Sequence, residues 1–360
     1  MSASRASGPM RDQILGQPTA LRALLARREE IAGRLASVVG KTRGRARRIW
    51  AIGHGDSYFA PLAAADAFAR STAPAYAPML AQEMAAYPPP GLDGGALVIV
   101  LSMSGVGKSI TAAQTARERG ASVLAVTNMP DSPLARVAHE SVLLNIAEPA
   151  PFLAGTVTYT GSLLALLLLA GLLADLQGRT RVAAIDLEAA VESVESALAS
   201  EAILREWTAA HASAPVWYIL GMGAEQATAR YGAAKLVEVA DIVAVAHETE
   251  EFFHEHHWVA RPDHPVVILA HDEPSRQRAA AAVAHLRELE IPVAVIGHGG
   301  ALDGVLEVSM PPLEPWTAPL ATAVPLQWLA YWLSRARGLD PDRRSHLHGS
   351  ARYVVSRKYR

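Results

Sequence analysis

The richest concentration of chemistry-bearing residues is SMSGVGKS, Ser102 to Ser109. Gly105 and Gly107 let the chain turn tightly and expose backbone N–H groups. A helix restarting near Lys108 presents unpaired N–H groups and a partial positive charge in its first turn. The hydroxyls of Ser102, Ser104 and Ser109 add donors, and the Lys108 ammonium adds charge. Such a cup suits an anion, most often a phosphate ester. A sulfonate or carboxylate is the alternative ligand, and a plain strand-to-helix turn is the alternative without one. The stretch ends like a P-loop, but that motif needs glycine where Ser102 stands.

A second group is histidine-rich: His254, His256 and His257 lie among Glu248, Glu250, Glu251 and Glu255. Imidazole titrates near neutrality and also ligates metals. HEHHW is not the zinc-protease pattern, because Trp258 stands where the second histidine belongs. The expectation is a solvated or catalytic loop, with no metal and no organic cofactor. His54 lies in another glycine turn, Gly53 to Ser57, where it either packs or touches substrate.

These groups need elements to hold them. Leu97 to Leu101 is apolar and β-branched and reads as a buried strand. Its helix runs to Arg119, and Gly120 stops it. Arg48 to Gly53, Tyr76 to Leu80, Ser122 to Thr127 and Ser141 to Ile146 read as further strands, with helices between. Met10 to Val39 and Gly155 to Leu176 read as helical, and Asp186 to His211 as an amphipathic connector. Alternation of this kind argues for a parallel sheet covered on both faces, with ligands at the carboxyl ends of its strands.

The pattern then repeats at an offset of 168 residues. Trp217 to Gly223 (WYILGMG) follows Ile49 to Gly55 (IWAIGHG), and Val266 to Leu269 follows Val98 to Leu101. Ser275 to Glu290 reads as a helix and Val293 to Ile296 as a strand. Ser102 and Ser104 of the first copy become Ala270 and Asp272 in the second. A carboxylate there repels an anion, so only the first copy keeps the cup.

Composition narrows the classes. The 360 residues suffice for two domains, and a net charge of −2 lacks the electrostatic footprint of a nucleic-acid binder. With no cysteine there is no disulfide framework and no thiol nucleophile. The start lacks the apolar core of a signal peptide, and Leu163 to Leu173 is too short to cross a bilayer. A cytoplasmic protein without nucleic-acid or membrane partners is expected.

In order and spacing, these motifs resemble the double sugar isomerase (SIS) domain family, especially the isomerase half of glucosamine-6-phosphate synthase and stand-alone sugar-phosphate isomerases and deaminases. The resemblance covers about Met10 to Val355. It rests on MRDQILGQPTAL near the start, GHGDSYF at Gly53 to Phe59, SMSG at Ser102 to Gly105, TNMPDSPLAR at Thr127 to Arg136 and PLQWLAYWLSRARGLDPD at Pro325 to Asp342. It implies an α/β fold of two three-layer SIS domains with flavodoxin-like parallel sheets. The expected division is an N-terminal helical segment (1–40), a phosphate-binding SIS domain (41–180), a helical connector (181–210), a second SIS domain (211–343) and a tail (344–360).

The resemblance also implies the chemistry. Ser57 is the ligand-facing serine of the first glycine turn, and Ser102, Met103, Ser104 and the 105–109 backbone hold the phosphate. Glu238 falls where the family's carboxylate moves a proton between C1 and C2 of an opened sugar. Lys235 precedes it by one turn, and His254 falls where a histidine assists ring opening. One base that removes and returns a carbon-bound proton is what aldose–ketose interconversion needs. The bare alternative is that Glu238 is an exposed charge paired with Lys235. Glu83 and Glu148 resemble positions near the site. A homodimer sharing its sites is implied, with a small-molecule sugar phosphate as ligand.

Several positions depart from the family pattern. Met103 replaces a polar residue, and Gly107 stands where a threonine is expected. Gly155, Thr156 and Val157 replace a Ser-Thr-Lys segment. The synthase's C-terminal lysine falls at Gly349, with His348 before it as a possible substitute. An amide-hydrolysing segment ahead of residue 1 is not expected, which leaves isomerisation or deamination as the expected activity. A sugar-phosphate sensor of the same fold is the alternative.

Overall fold

Two parallel sheets, five strands in each among the described residues, account for the strand–helix alternation. The computed structural model describes residues 8–42, 46–72, 74–148, 153–179, 186–300, 302–348, 350–351 and 354. The chain starts with three helices, Pro9–Leu15 (α1), Gln17–Leu25 (α2) and Arg28–Gly40 (α3). The first sheet is Arg48–Gly53 (β1), Ala75–Leu80 (β2), Ala96–Leu101 (β3), Ser122–Thr127 (β4) and Glu140–Leu143 (β5). Its helices are Asp56–Ala63 (α4), Ala65–Ser71 (α5), Ala81–Ala86 (α6), Lys108–Glu118 (α7) and Pro133–Val137 (α8). Val157–Leu176 (α9), Leu187–Ala197 (α10) and Glu201–Ala210 (α11) follow. The second sheet is Val216–Gly221 (β6), Val243–Glu248 (β7), Val266–Ala270 (β8), Val293–Gly297 (β9) and Leu306–Ser309 (β10). Its helices are Glu225–Ala240 (α12), Thr249–Phe252 (α13) and Glu273–Glu288 (α14), and Ala318–Ala336 (α15) and Ser345–His348 (α16) complete the chain.

The strand orders are β2-β1-β3-β4-β5 and β7-β6-β8-β9-β10, the same order twice, and the flavodoxin-like one. Order reverses between β1 and β3, and again between β6 and β8, so each sheet opens a crevice there at its carboxyl edge. Central strands are buried on both faces: every residue of β3 is inaccessible. Burying each of its larger aliphatic side chains contributes about 1.5–3 kcal/mol. Edge strands β2 and β7 are only partly covered.

Contacts divide the chain into two compact units, one of Thr19–Ala147 with Thr158–Glu188, the other of Met1–Pro18, Glu148–Val157 and Ala189–Tyr359. Helices α2 and α3 therefore belong with the first sheet, and α1 with the second. Within the second unit Arg11 makes a two-pronged ion pair with Glu201, both bonds 2.8 Å long. Asp342 accepts the Met10 N–H at 2.8 Å, fixing the chain start to the turn after α15.

Helix α9 is long and apolar enough to cross a membrane, but 94% of its apolar window is buried within the protein, as in a core helix. The helical reading of Met10 to Val39 divides at Gly16 and again at Ala26–Arg27. The strand read at Ser141 to Ile146 ends at Leu143, shortly before Asn145 turns to φ +55°. Strands β7 and β10 went unread: both lie at sheet edges, where weak burial leaves no clear apolar alternation.

Candidate active site

In the first unit, the turns β1–α4 and β3–α7 open side by side at the crevice, because β1 and β3 are neighbours. Gly53 ends β1, and a Cβ there would collide with the Ser57 backbone. Gly55 follows at φ +53°. These glycines let α4 start close to the strand end and place Ser57, half-buried, in its first turn. The second turn is braced from behind: the Asn128 N–H and the Thr127 hydroxyl both reach the Met103 carbonyl, each at 3.2 Å. Gly105, at φ +63°, has no room for a side chain, since a Cβ would meet Ser132 Oγ. Ser102 and Ser109 are buried, while Ser104, Gly107 and Lys108 face outward. The start of α7 has no side-chain cap. No side chain among the described residues takes the N–H groups of its first turn, and the Ile110 N–H donates to the Gly107 carbonyl at 3.1 Å. Met103 turns away from the expected phosphate-holding role, with its sulfur 3.7 Å from the Ser162 hydroxyl.

The second unit repeats this geometry and fills it. Gly221 crowds the Glu225 backbone as Gly53 crowds Ser57, and Gly223 takes φ +55°. Asp272 caps α14, accepting from the Ser275 N–H at 2.9 Å, while the Ser275 hydroxyl accepts from the Asp272 N–H at 3.1 Å. The carboxylate therefore sits at the start of α14 and takes the Ser275 N–H, whereas the start of α7 carries no side-chain cap. Glu225 occupies the position corresponding to Ser57. It is 4% exposed and lies 2.8 Å from the Thr322 hydroxyl through both carboxylate oxygens. Burial pushes its pKa up to about 7, against the Thr322 hydroxyl and with the help of nearby Asp272.

Glu238 stands in the last turn of α12, where the helix dipole disfavours an acid. Its neighbours compensate. Lys235 Nζ donates to Glu238 Oε2 at 2.6 Å, and the Arg344 guanidinium grips Oε1. Lys235 is 2% exposed, whereas the Glu238 side chain keeps 31% of its surface. The pair foreseen as the bare alternative does exist, but its cation is deeply buried and a second cation joins it. Burial raises the carboxyl's pKa; Lys235 and Arg344 outweigh that, leaving it below the ordinary glutamate value. Arg344 arrives through the turn after α15: Asp340 accepts the Asp342 and Arg343 N–H groups, and Arg344 sits at φ +47°. His346 Nε2 lies 3.2 Å from the Glu238 carbonyl, so that nitrogen carries the proton and caps the end of α12.

His254 is exposed and pairs with Glu250 at 3.4 Å, not with Glu238. His54 and Glu83 are exposed at the carboxyl edge of the first sheet, and Glu148 is exposed too. The side chain of His348 and all of Gly349 lie outside the described residues.

A family model described as "SIS domain" matches residues 45–172 and 212–301, spanning both repeats. The chain belongs to the SIS domain family. An Aeropyrum pernix glutamine–fructose-6-phosphate aminotransferase (isomerizing) is 31% identical over 361 residues, covering 96% of this chain and 58% of that protein. The chain spans about half the length of the curated relatives it matches. The C-terminal domain of glucosamine-fructose-6-phosphate aminotransferase from Francisella tularensis superposes with a TM-score of 0.80 at 17% identity, covering 94% of this chain and 99% of that one. The tagatose-6-phosphate ketose/aldose isomerase of Escherichia coli gives 0.77 at 20%, with 95% and 97% covered. At these identities the solved structures establish the fold.

Sequence reasoning missed three residues of this SIS chain's second unit. Glu225 could have been found by carrying the 168-residue offset to Ser57 as well as to the serine loop. Arg344 and His346 had no local signal, since only the folded turn brings them to α12.

Proposed function

We propose that this SIS protein isomerises an open-chain sugar phosphate, either as an aldose–ketose isomerase or as an amino-sugar-phosphate isomerase or deaminase. Glu238 moves the proton between C1 and C2, and His254 assists ring opening. Ser57, Ser102, Ser104 and the N–H groups at the start of α7 hold the phosphate. The observation that carries this reading is the state of Glu238: a carboxylate kept ionised by two cations yet still reachable by a ligand. An ionised carboxylate is what proton abstraction from carbon requires. Lys235 positions it. The protein is read as a cytoplasmic homodimer. Exposed Trp258 (77%) and Val259 (59%), close to His254 in the chain, suit burial against a second copy.

The test is solvent exchange at C2, followed by NMR in heavy water with hexose and hexosamine 6-phosphates. Deuterium incorporation that disappears in Glu238→Gln supports the isomerase, and ammonia release beside it selects the deaminase. One observation favours a second reading, a sugar-phosphate sensor: Arg344 binds the very carboxylate that would act as base, and a doubly paired carboxylate is a weak base. Sugar-phosphate binding with no exchange, and affinity unchanged in Glu238→Gln, would decide for the sensor.

A further inference from the structure

The sequence of the histidine-rich loop gave no metal motif, but the fold adds a ligand from elsewhere. His247 lies near the end of β7, paired in register with Leu220. Glu248 then caps α13, accepting the Glu250 and Glu251 N–H groups at 2.7 and 2.9 Å. This reversal brings the following turn back over the strand end. Glu255 Oε2 lies 3.0 Å from His247 Nε2 and 3.6 Å from His256 Nδ1. One donor atom from each residue falls within 4.8 Å of the other two.

A single hydrogen bond accounts for His247 Nε2 and Glu255, while the buried His247 Nδ1 has no hydrogen-bond partner among the described residues. That bond does not explain His256. Its Nδ1 is shut off from solvent, has no hydrogen-bond partner among the described residues, and faces the same carboxylate oxygen at too long a range for one. Two imidazoles converging on one carboxylate oxygen are the donor set of a transition-metal site. Around tetrahedral zinc, with bonds of about 2.0–2.1 Å, neighbouring donor atoms lie roughly 3.3 Å apart. The observed 3.0 and 3.6 Å bracket that value. The Tyr218 ring, itself buried, lies 5.9 Å from that of His256 and limits how far the imidazole can swing.

We propose that His247, Glu255 and His256 form a zinc site at the carboxyl end of β7. Three protein donors leave a fourth position open, and Glu255, with 57% of its side chain exposed, keeps it in reach of water. The ion ties the turn on the far side of His254 to the sheet. The site stands independently of the isomerase reading.

The test uses the full chain, stripped with a chelator, dialysed against equimolar Zn²⁺ and assayed for metal by mass spectrometry. Co²⁺ substitution gives the coordination number from its visible d–d bands. The expected result is one ion per chain with tetrahedral Co²⁺ bands, and a loss of affinity of the order of 10²-fold in His247→Ala and in His256→Ala. His285→Ala, beyond this donor set, should bind as wild type. Circular dichroism of each variant separates lost ligands from lost folding. A chain that retains no zinc, or zinc retained equally by both histidine variants while they stay folded, would overturn the proposal.

Discussion

Glu225→Gln should make the protein more stable, and only above acidic pH. The side chain is 4% exposed, and its pKa is carried from 4.5 to about 7, first by burial and then by Asp272. Between those values the folded state holds a proton that the unfolded chain has released, so stability falls as pH rises. At 1.36 kcal/mol per pH unit the loss reaches roughly 3 kcal/mol by pH 8. Glutamine keeps the shape of the neutral acid. Its amide can donate to the Thr322 hydroxyl while that hydroxyl donates to the Ala318 carbonyl, 3.1 Å away. For a unit of this size, 3 kcal/mol corresponds to roughly 6–12 °C in Tm. Melting curves followed by circular dichroism from pH 4 to 8 should coincide at the acid end and separate steadily above it, the variant melting higher. A constant offset across the range would refute the reasoning, because it would mean that Glu225 titrates alike in both states.

Three further outcomes follow from the same geometry. Burial, helped by His298, pushes His271 down from 6.5 to about 4, so the stability it contributes is present above pH 6.5 and lost as pH falls to 4. His271→Gln, which retains an acceptor for the Leu313 N–H, should flatten that acid loss in melts, by up to roughly 3 kcal/mol. Gly105→Ala forces a side chain into φ +63° and against Ser132. It should cost about 1–3 kcal/mol and weaken sugar-phosphate binding by calorimetry, while wild-type affinity would show that the cup is not used. Arg344→Gln removes one of the two charges that lower the Glu238 pKa. The acid limb of the C2-exchange rate should move to higher pH, and an unmoved limb would separate Arg344 from the base.

Most of the architecture was legible because it rests on periodicity. β3 and its helix follow from Leu97 to Leu101 and the glycines after it, and the 168-residue offset carried the pattern to β6 and β8. Edge strands such as β7 escaped, since half-exposed residues carry little pattern. The turn into α7 was legible because its signals are local: glycines, serines and a helix start lie within eight residues of sequence. The surroundings of Glu238 were not, because Arg344 is 106 residues away and reaches it only through a turn whose backbone no propensity announces. His247 escaped as a partner of Glu255 and His256 for a related reason: HEHHW is contiguous in sequence, whereas the chain reverses between His247 and Glu255.

Asp272 has a consequence for how the protein counts its ligands. A carboxylate attached to the first turn of α14 is a competitor that never diffuses away, and a short tether holds it at an effective concentration of millimolar order or above. Free phosphate esters must displace it to occupy the second repeat, and among the described residues no such side chain caps α7. Titration should therefore give one anion per chain, although the fold contains the same crevice twice.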